Sequence, residues 1–349
     1  MTQETLVYPL ANNSDLQDRY TIMNVLNAGG FGITYLALDK PNSRYVVIKE
    51  CMPDAYAYRD METGCIHPRD EQAAVNFANS LANARQEASV LAQLSHPGIV
   101  QVFDMFDTNG TFYYVMENIQ GQTLFEVLTA MRAAGQAIAP NQATDILARL
   151  LDILAYLHSM GVYHCDIKPG NIFIQPDGTP KLIDFGAVRT KTLQHQGLVQ
   201  ITPGYTPPEF YPGRRSEIGP WCDMYELGAT FYELITGQVP LPADQRSVVD
   251  RNPKVTSYAA LRSHYPMNFL SGIDKALSPD ERNRFHSAKA WHDYINTIGA
   301  AGTLKAGGIS RKALPKGRKK SSSGTAFIII LLILAAAVWV CVEQGLIQF

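Results

Sequence analysis

The chain has 349 residues, 30 Lys and Arg against 32 Asp and Glu, a formal net charge of −2, and 46% hydrophobic content. That length is ample for a large core and allows two or three domains. Seven of the basic residues (Lys305, Arg311, Lys312, Lys316, Arg318, Lys319, Lys320) fall between Thr297 and Thr325, so residues 1–296 are left with a net charge of −8, which argues against a nucleic-acid binder. Cys51, Cys65, Cys165, Cys222 and Cys341 are odd in number and form no CxxC pair, which suits free thiols in a reducing compartment. The opening MTQETLVYPLANN has neither the basic start nor the apolar stretch of a signal peptide.

In chain order, residues 1–19 read as a polar arm on a first lobe. Between Tyr20 and Leu38, short β-favouring runs flank Ala28-Gly29-Gly30-Phe31-Gly32. Glycines there let backbone amides approach a phosphate closely. Tyr45–Glu50, YVVIKE, predicts a strand with Lys49 near its end. On these residues alone, an ordinary edge-strand lysine is the simpler reading. Residues 51–72 form a polar, aromatic stretch that either packs on the first lobe or serves as a docking element. Cys65 and His67 within it are too few to make a metal site. Phe77, Leu81, Ala84, Ala88 and Leu91 recur at helical spacing, on a helix that also carries Glu87. Two strands, Gln101–Phe106 and Phe112–Glu117, are predicted around Asn109-Gly110. Ala143–Met160 is too short and too charged to span a membrane and reads as a buried helix.

That helix leads into Tyr163–Gly186, YHCDIKPGNIFIQPDGTPKLIDFG. Asp166, Lys168 and Asn171 sit on a loop, and an apolar hairpin turning at Asp177-Gly178 delivers Asp184. Phosphoryl transfer needs a magnesium ion with hard oxygen ligands, which Asp184 and the Asn171 side-chain oxygen can supply. Asp166 is placed to accept a hydrogen bond from an attacking hydroxyl, and Lys168 to offset phosphate charge. Positioning and charge neutralisation carry most of such a reaction.

HCDIKPGN followed by DFG resembles the catalytic and magnesium loops of protein kinases, HRDLKxxN and DFG. Lys168 matches the Ser/Thr type. The resemblance covers about Tyr20 to Thr297 and is similar to bacterial Ser/Thr kinases of eukaryotic (Hanks) type. It implies an α+β, two-lobed kinase fold with a small β-rich N-lobe and a larger helical C-lobe. ATP would be bound by Leu26, Gly29, Gly30, Phe31, Gly32, Thr34, Lys49, Glu87, Met116, Glu117 and Ile119. Lys49 would pair with Glu87 and touch the α- and β-phosphates. Met116 would be the gatekeeper, and the backbones of Glu117 and Ile119 would meet the adenine. Asp166 and Lys168 would be catalytic, with Asn171 and Asp184 holding Mg2+, or Mn2+ in its place. The partners implied are protein substrates with Ser or Thr hydroxyls, and a second copy of the chain as a homodimer.

The chain also departs from the family pattern. Asn27 and Thr34 stand at a glycine and a valine position of the Gly-rich loop. The 38 residues from Lys49 to Glu87 are more than a kinase usually has there. Pro207-Pro208-Glu209 replaces Ala-Pro-Glu, with Arg284 expected to pair with Glu209 and Asp223 expected to steady the catalytic loop. Cys165 replaces an arginine that grips a phosphate on the activation segment. Activity is therefore expected not to depend on phosphorylation of that segment. Two other readings are a small-molecule phosphotransferase of the aminoglycoside-kinase type, which Lys168, Gly186 and the PPE segment disfavour, and a silent membrane scaffold.

Ala326–Val342 supplies 17 uncharged apolar residues. As a helix this is about 26 Å, at the short end for a membrane span. The basic linker at 298–325 puts the kinase domain on the cytoplasmic side of the inner membrane, with residues 343–349 as a short tail beyond a single-pass helix.

Overall fold

The structure is a computed structural model that describes residues 8–190, 201–212, 217–246 and 249–297. The membrane helix expected at 326–342, with its linker and tail, lies outside the described residues.

The N-lobe is a six-stranded antiparallel sheet. Its strands are β1 (Asp15–Leu16), β2 (Tyr20–Gly29), β3 (Gly32–Asp39), β4 (Arg44–Cys51) and, after an excursion, β7 (Val102–Thr108) and β8 (Thr111–Glu117). Their spatial order is β1-β2-β3-β4-β8-β7. Side chains alternate across a strand, and in β3 every second residue is buried. Ile33, Tyr35, Ile48, Tyr113 and Val115 thereby build one core with Phe77. Strand β4 lies between β3 and β8, so Lys49 is on an interior strand. The edge-strand reading of YVVIKE fails because β8, far away in sequence, pairs along its open side.

The excursion begins with the unusual segment after Cys51, which is folded. Strands β5 (Ala57–Arg59) and β6 (Ile66–Pro68) make a hairpin on the first lobe. The Ile66 N–H bonds the Asn109 carbonyl at 2.7 Å, and the Asp54 N–H bonds the Gly30 carbonyl at 3.3 Å. Arg59, 6% exposed, pairs with the fully buried Glu50. It also donates to the carbonyls of Tyr8 at 2.8 Å and Gly64 at 2.9 Å. A buried carboxylate demands such partners. Helix α1 (Glu71–Ala92) follows, capped by Asp70, which accepts from Ala73 N at 2.7 Å. Its buried face carries Phe77, Glu87, Ala88 and Leu91.

After β8 come β9 (Gln122–Thr123), α2 (Leu124–Ala133), α3 (Pro140–Ser159) and β10 (Val162–Tyr163). Helix α3 starts three residues before the predicted helix, because proline suits a first turn whose N–H groups have no intrahelical partner. Hairpin strands β11 (Ile172–Ile174) and β12 (Pro180–Leu182) pair with Ile172 opposite Leu182, as the Asp-Gly turn predicts. The rest comprises β13 (Arg189–Thr190), α4 (Pro220–Thr236), α5 (Ala259–His264), α6 (Met267–Ala276) and α7 (Ala288–Thr297). Helix α4 is buried without a break from Cys222 to Leu234, carboxylates included. It is the internal post around which the second lobe is packed.

Candidate active site

Two groups of side chains converge from the two lobes. Strand register places the first. Gly29 pairs with Gly32, Asn27 with Thr34, and Thr34 with Lys49, so the Gly-rich turn and the lysine belong to one continuous ladder. A Cβ on Gly32 would sit 2.1 Å from the Glu50 carbonyl oxygen, which leaves room only for glycine. Leu26 and Phe31 are exposed beside that turn. Lys49 Nζ lies 3.2 Å from Glu87 Oε1 and 3.1 Å from Asp184 Oδ1. Burial works against the Lys49 charge, but the carboxylates of Asp184 and then Glu87 hold the ammonium well above its ordinary value. Lys49 in turn, against the cost of burial and helped by the Gly186 N–H, holds Asp184 down to about 2. Asp184 is therefore a carboxylate at any physiological pH.

The second group lies on the loop after β10. Lys168 Nζ sits 2.9 Å from Asp166 Oδ2 and 3.4 Å from Thr202 Oγ1. The Asn171 amide nitrogen donates to the Asp166 carbonyl at 2.9 Å and to Asp166 Oδ2 at 2.7 Å. Both Asn171 hydrogens are thereby engaged with Asp166, so its amide oxygen is left as the atom for a cation.

Helix α4 suspends this loop by its backbone. Asp223 accepts from His164 N at 3.1 Å and Cys165 N at 2.9 Å, and Glu226 accepts from Ile167 N at 2.7 Å. Cys165 adopts a left-handed φ of 62°, a conformation a non-glycine residue keeps only when its surroundings impose it. His158 Nε2 meets Asp223 at 2.7 Å. Although burial opposes it, Asp223 stays below the ordinary carboxylate value through His158, then the nearby His164 ring and the Cys165 amide. Burial, and then the Asp223 charge, push Glu226 well up. His164 packs its ring 4.7 Å from that of the fully buried Phe185, which fixes the start of the Asp184 loop. Arg284 grips Glu209 with two bonds, 2.6 and 2.9 Å, and both are buried.

Lys49, Glu87 and Asp184 form one cluster, and Asp166, Lys168 and Asn171 form another. Met116 is buried on β8, opposite Val47 and Val102, while Glu117 and Ile119 are half-buried just after it. The Glu117 side chain is held from behind by Lys181 and by Gln101 N at 2.9 Å. Sequence reasoning missed Glu226, Tyr114, Arg59 and Lys181. Only Glu226 left a signal: it stands three residues after Asp223, on the same helical face.

The protein kinase domain family matches residues 20–295. The chain belongs to the protein kinase family. The matched segment is a protein kinase domain, and that match weighs against the small-molecule alternative. The chain is 33% identical over 291 residues to the serine/threonine-protein kinase PknA of Nostoc sp., covering 78% of this chain and 46% of that protein. It is 31% identical over 304 residues to serine/threonine-protein kinase D of Synechocystis sp., covering 83% and 54%. PrkC of Bacillus subtilis is 29% identical over 288 residues, covering 81% and 41%. The kinase chain therefore spans about half the length of these curated relatives. Among solved structures, the apo form of PpkA-294 superposes with a TM-score of 0.72 at 29% identity, covering 82% of this chain and 99% of that one.

Proposed function

We propose that this kinase transfers the γ-phosphoryl group of ATP to Ser and Thr hydroxyls of proteins, itself included, while tethered to the inner membrane through residues 326–342. The observation that carries the catalytic part is the double engagement of Lys49 by Glu87 and Asp184, next to a loop on which Asp166, Lys168 and Asn171 are bonded to one another. Lys49 has its charge secured for the α- and β-phosphates. Asp166, held by Asn171 and Lys168, accepts the hydrogen bond of the substrate hydroxyl and orients it. Lys168 also approaches Thr202, so it links the Asp166 carboxylate to the segment that leads into Pro207-Pro208-Glu209. The free Asn171 oxygen and the ionised Asp184 are hard donors that fit magnesium. When bound there, the ion would offset charge on the β- and γ-phosphates.

The tether is supported by the apolar run after a basic linker, the pattern of a span with its preceding domain in the cytoplasm. The test of catalysis is Asp166→Asn in the full chain. Losing the oriented base is expected to lower phosphoprotein formation by about 10²–10⁴-fold with nucleotide affinity retained. Wild-type protein that binds ATP with magnesium yet labels neither itself nor any polypeptide would refute the reading. For the tether, removing residues 326–349 is expected to move the kinase from the membrane fraction to the supernatant. A truncated chain that still sediments with membranes would count against it.

A further inference from the structure

Strand β8 carries adjacent tyrosines, and neighbouring strand residues point to opposite faces of a sheet. The register pairs Tyr113 with Glu50 and Tyr114 with Lys49. Tyr113 sends its hydroxyl to Glu50, inside the sheet's core. Tyr114, on the other face, donates its hydroxyl to Glu87 Oε1 at 2.7 Å. That oxygen is the one that Lys49 Nζ approaches at 3.2 Å, and the Lys49 ammonium lies 5.7 Å from the centre of the Tyr114 ring. Tyr114 is 2% exposed and Glu87 8%.

We propose that Tyr114 is a positioning residue for ATP binding: its phenol holds the Glu87 carboxylate on Lys49, so that the pair is assembled before nucleotide arrives. Ala88 and Leu91 pack α1 on the sheet beside Glu87, but apolar packing does not aim a carboxylate. The other ion pair between α1 and the sheet near Glu87 among the described residues, Arg85 with Asp107 on β7, is exposed and contributes little. The buried bond from Tyr114 to a charged acceptor is of the stronger kind. Tyr114 is fixed to Lys49 through the ladder and to Glu87 through its hydroxyl, so one side chain sets the distance between the two partners. Burial and the Glu87 carboxylate keep the phenol protonated, and it donates at every working pH.

The proposal rests on the reading of Lys49 as the phosphate-binding lysine. Its test is Tyr114→Phe in the full chain, with ATP affinity measured calorimetrically in magnesium alongside steady-state kinetics on a peptide. The dissociation constant and KM for ATP are each expected to rise about tenfold, with kcat and peptide KM within about twofold of wild type. A purely structural loss would lower the active fraction, and so kcat, at unchanged ATP affinity. In a Glu87→Gln background the same change is expected to add nothing further, because Tyr114 acts through the Glu87 charge. ATP affinity unchanged in Tyr114→Phe, or an undiminished effect in the Glu87→Gln background, would overturn the assignment. Tyr114→Leu carries the same expectation should the Phe chain be poorly soluble. Because affinity is read directly, a failure of wild-type phosphotransfer would strike the proposed function and leave the test of Tyr114 intact.

Discussion

In the sheet lobe, Lys49 is placed by strand register, and its carboxylate partner is fixed by a side chain on the neighbouring strand. In the helical lobe, Asp166 sits on a loop with no long strand to align it, and carboxylates of one buried helix catch the loop's amides. The first arrangement places side chains and leaves the backbone to the ladder. The second places backbone and lets the side chains follow. Both bury charge to do so, Glu50 with Arg59 in one lobe and Asp223 with His158 in the other. The lobes should therefore fail differently when those charges are altered.

The largest expected effect is in the sheet lobe. Arg59→Met strands a fully buried Glu50 with only tyrosine partners and is expected to cost about 3–5 kcal/mol in urea unfolding. Adding Glu50→Gln should return part of that loss. If Arg59→Met is neutral, the insertion hairpin is not held by charge. In the helical lobe, Asp223→Ala orphans the amides of His164 and Cys165 and is expected to cost about 3 kcal/mol. It should also lower kcat while sparing ATP affinity, the reverse of Tyr114→Phe, and a rise in ATP KM with kcat intact would erase the contrast.

A smaller effect is expected from pH. Burial lowers His164 from its ordinary 6.5, so the unfolded chain takes up that proton first as pH falls. The contribution is whole above about pH 6.5 and declines below it by up to about 1.4 kcal/mol per unit until the folded-state pKa is reached. A His164→Phe chain should lack that slope just below about pH 6.5. Glu226 titrates in both chains and cancels in the difference. Equal slopes in the two chains would place the His164 proton elsewhere.

The smallest expected effect concerns the activation segment. Cys165 packs with Tyr163, Ile218 and Cys222, and burial pushes its thiol well above the ordinary value. A neutral, buried thiol cannot grip a phosphate. Replacing Thr190, Thr192 and Thr202 together by Ala should leave peptide phosphorylation intact. Thr202 approaches Lys168, so Thr202→Ala alone is the needed control; a dead triple variant beside an active single one would sink the expectation. Thr192 lies outside the described residues.

How much of this was legible depended on sequence distance. Asp166, Asn171 and Asp184 sit on a single hairpin with its loops, so spacing alone suggested their meeting. Lys49 did not declare itself, because YVVIKE reads the same on an edge or an interior strand, and only pairing with Thr111–Glu117 decides between them. Tyr114 gave no signal for the same reason: an aromatic in an apolar strand gives no sign of a helix residue waiting opposite. Arg59 was hidden in a segment read as a polar loop, where its acceptors on Tyr8, Glu50 and Gly64 come from three separate stretches of chain.

The hairpin after Cys51 joins the Gly-rich turn, through Asp54 and Gly30, to the turn at Asn109, and it runs on into the cap of α1. For inhibitor chemistry this sets a preference. A compound that demands a swung-out α1 must unfasten the Tyr114 bond to Glu87 and drag against a brace anchored at both of those turns. One shaped to the assembled cleft meets neither cost, and compounds of that second kind should dominate any screen against this kinase.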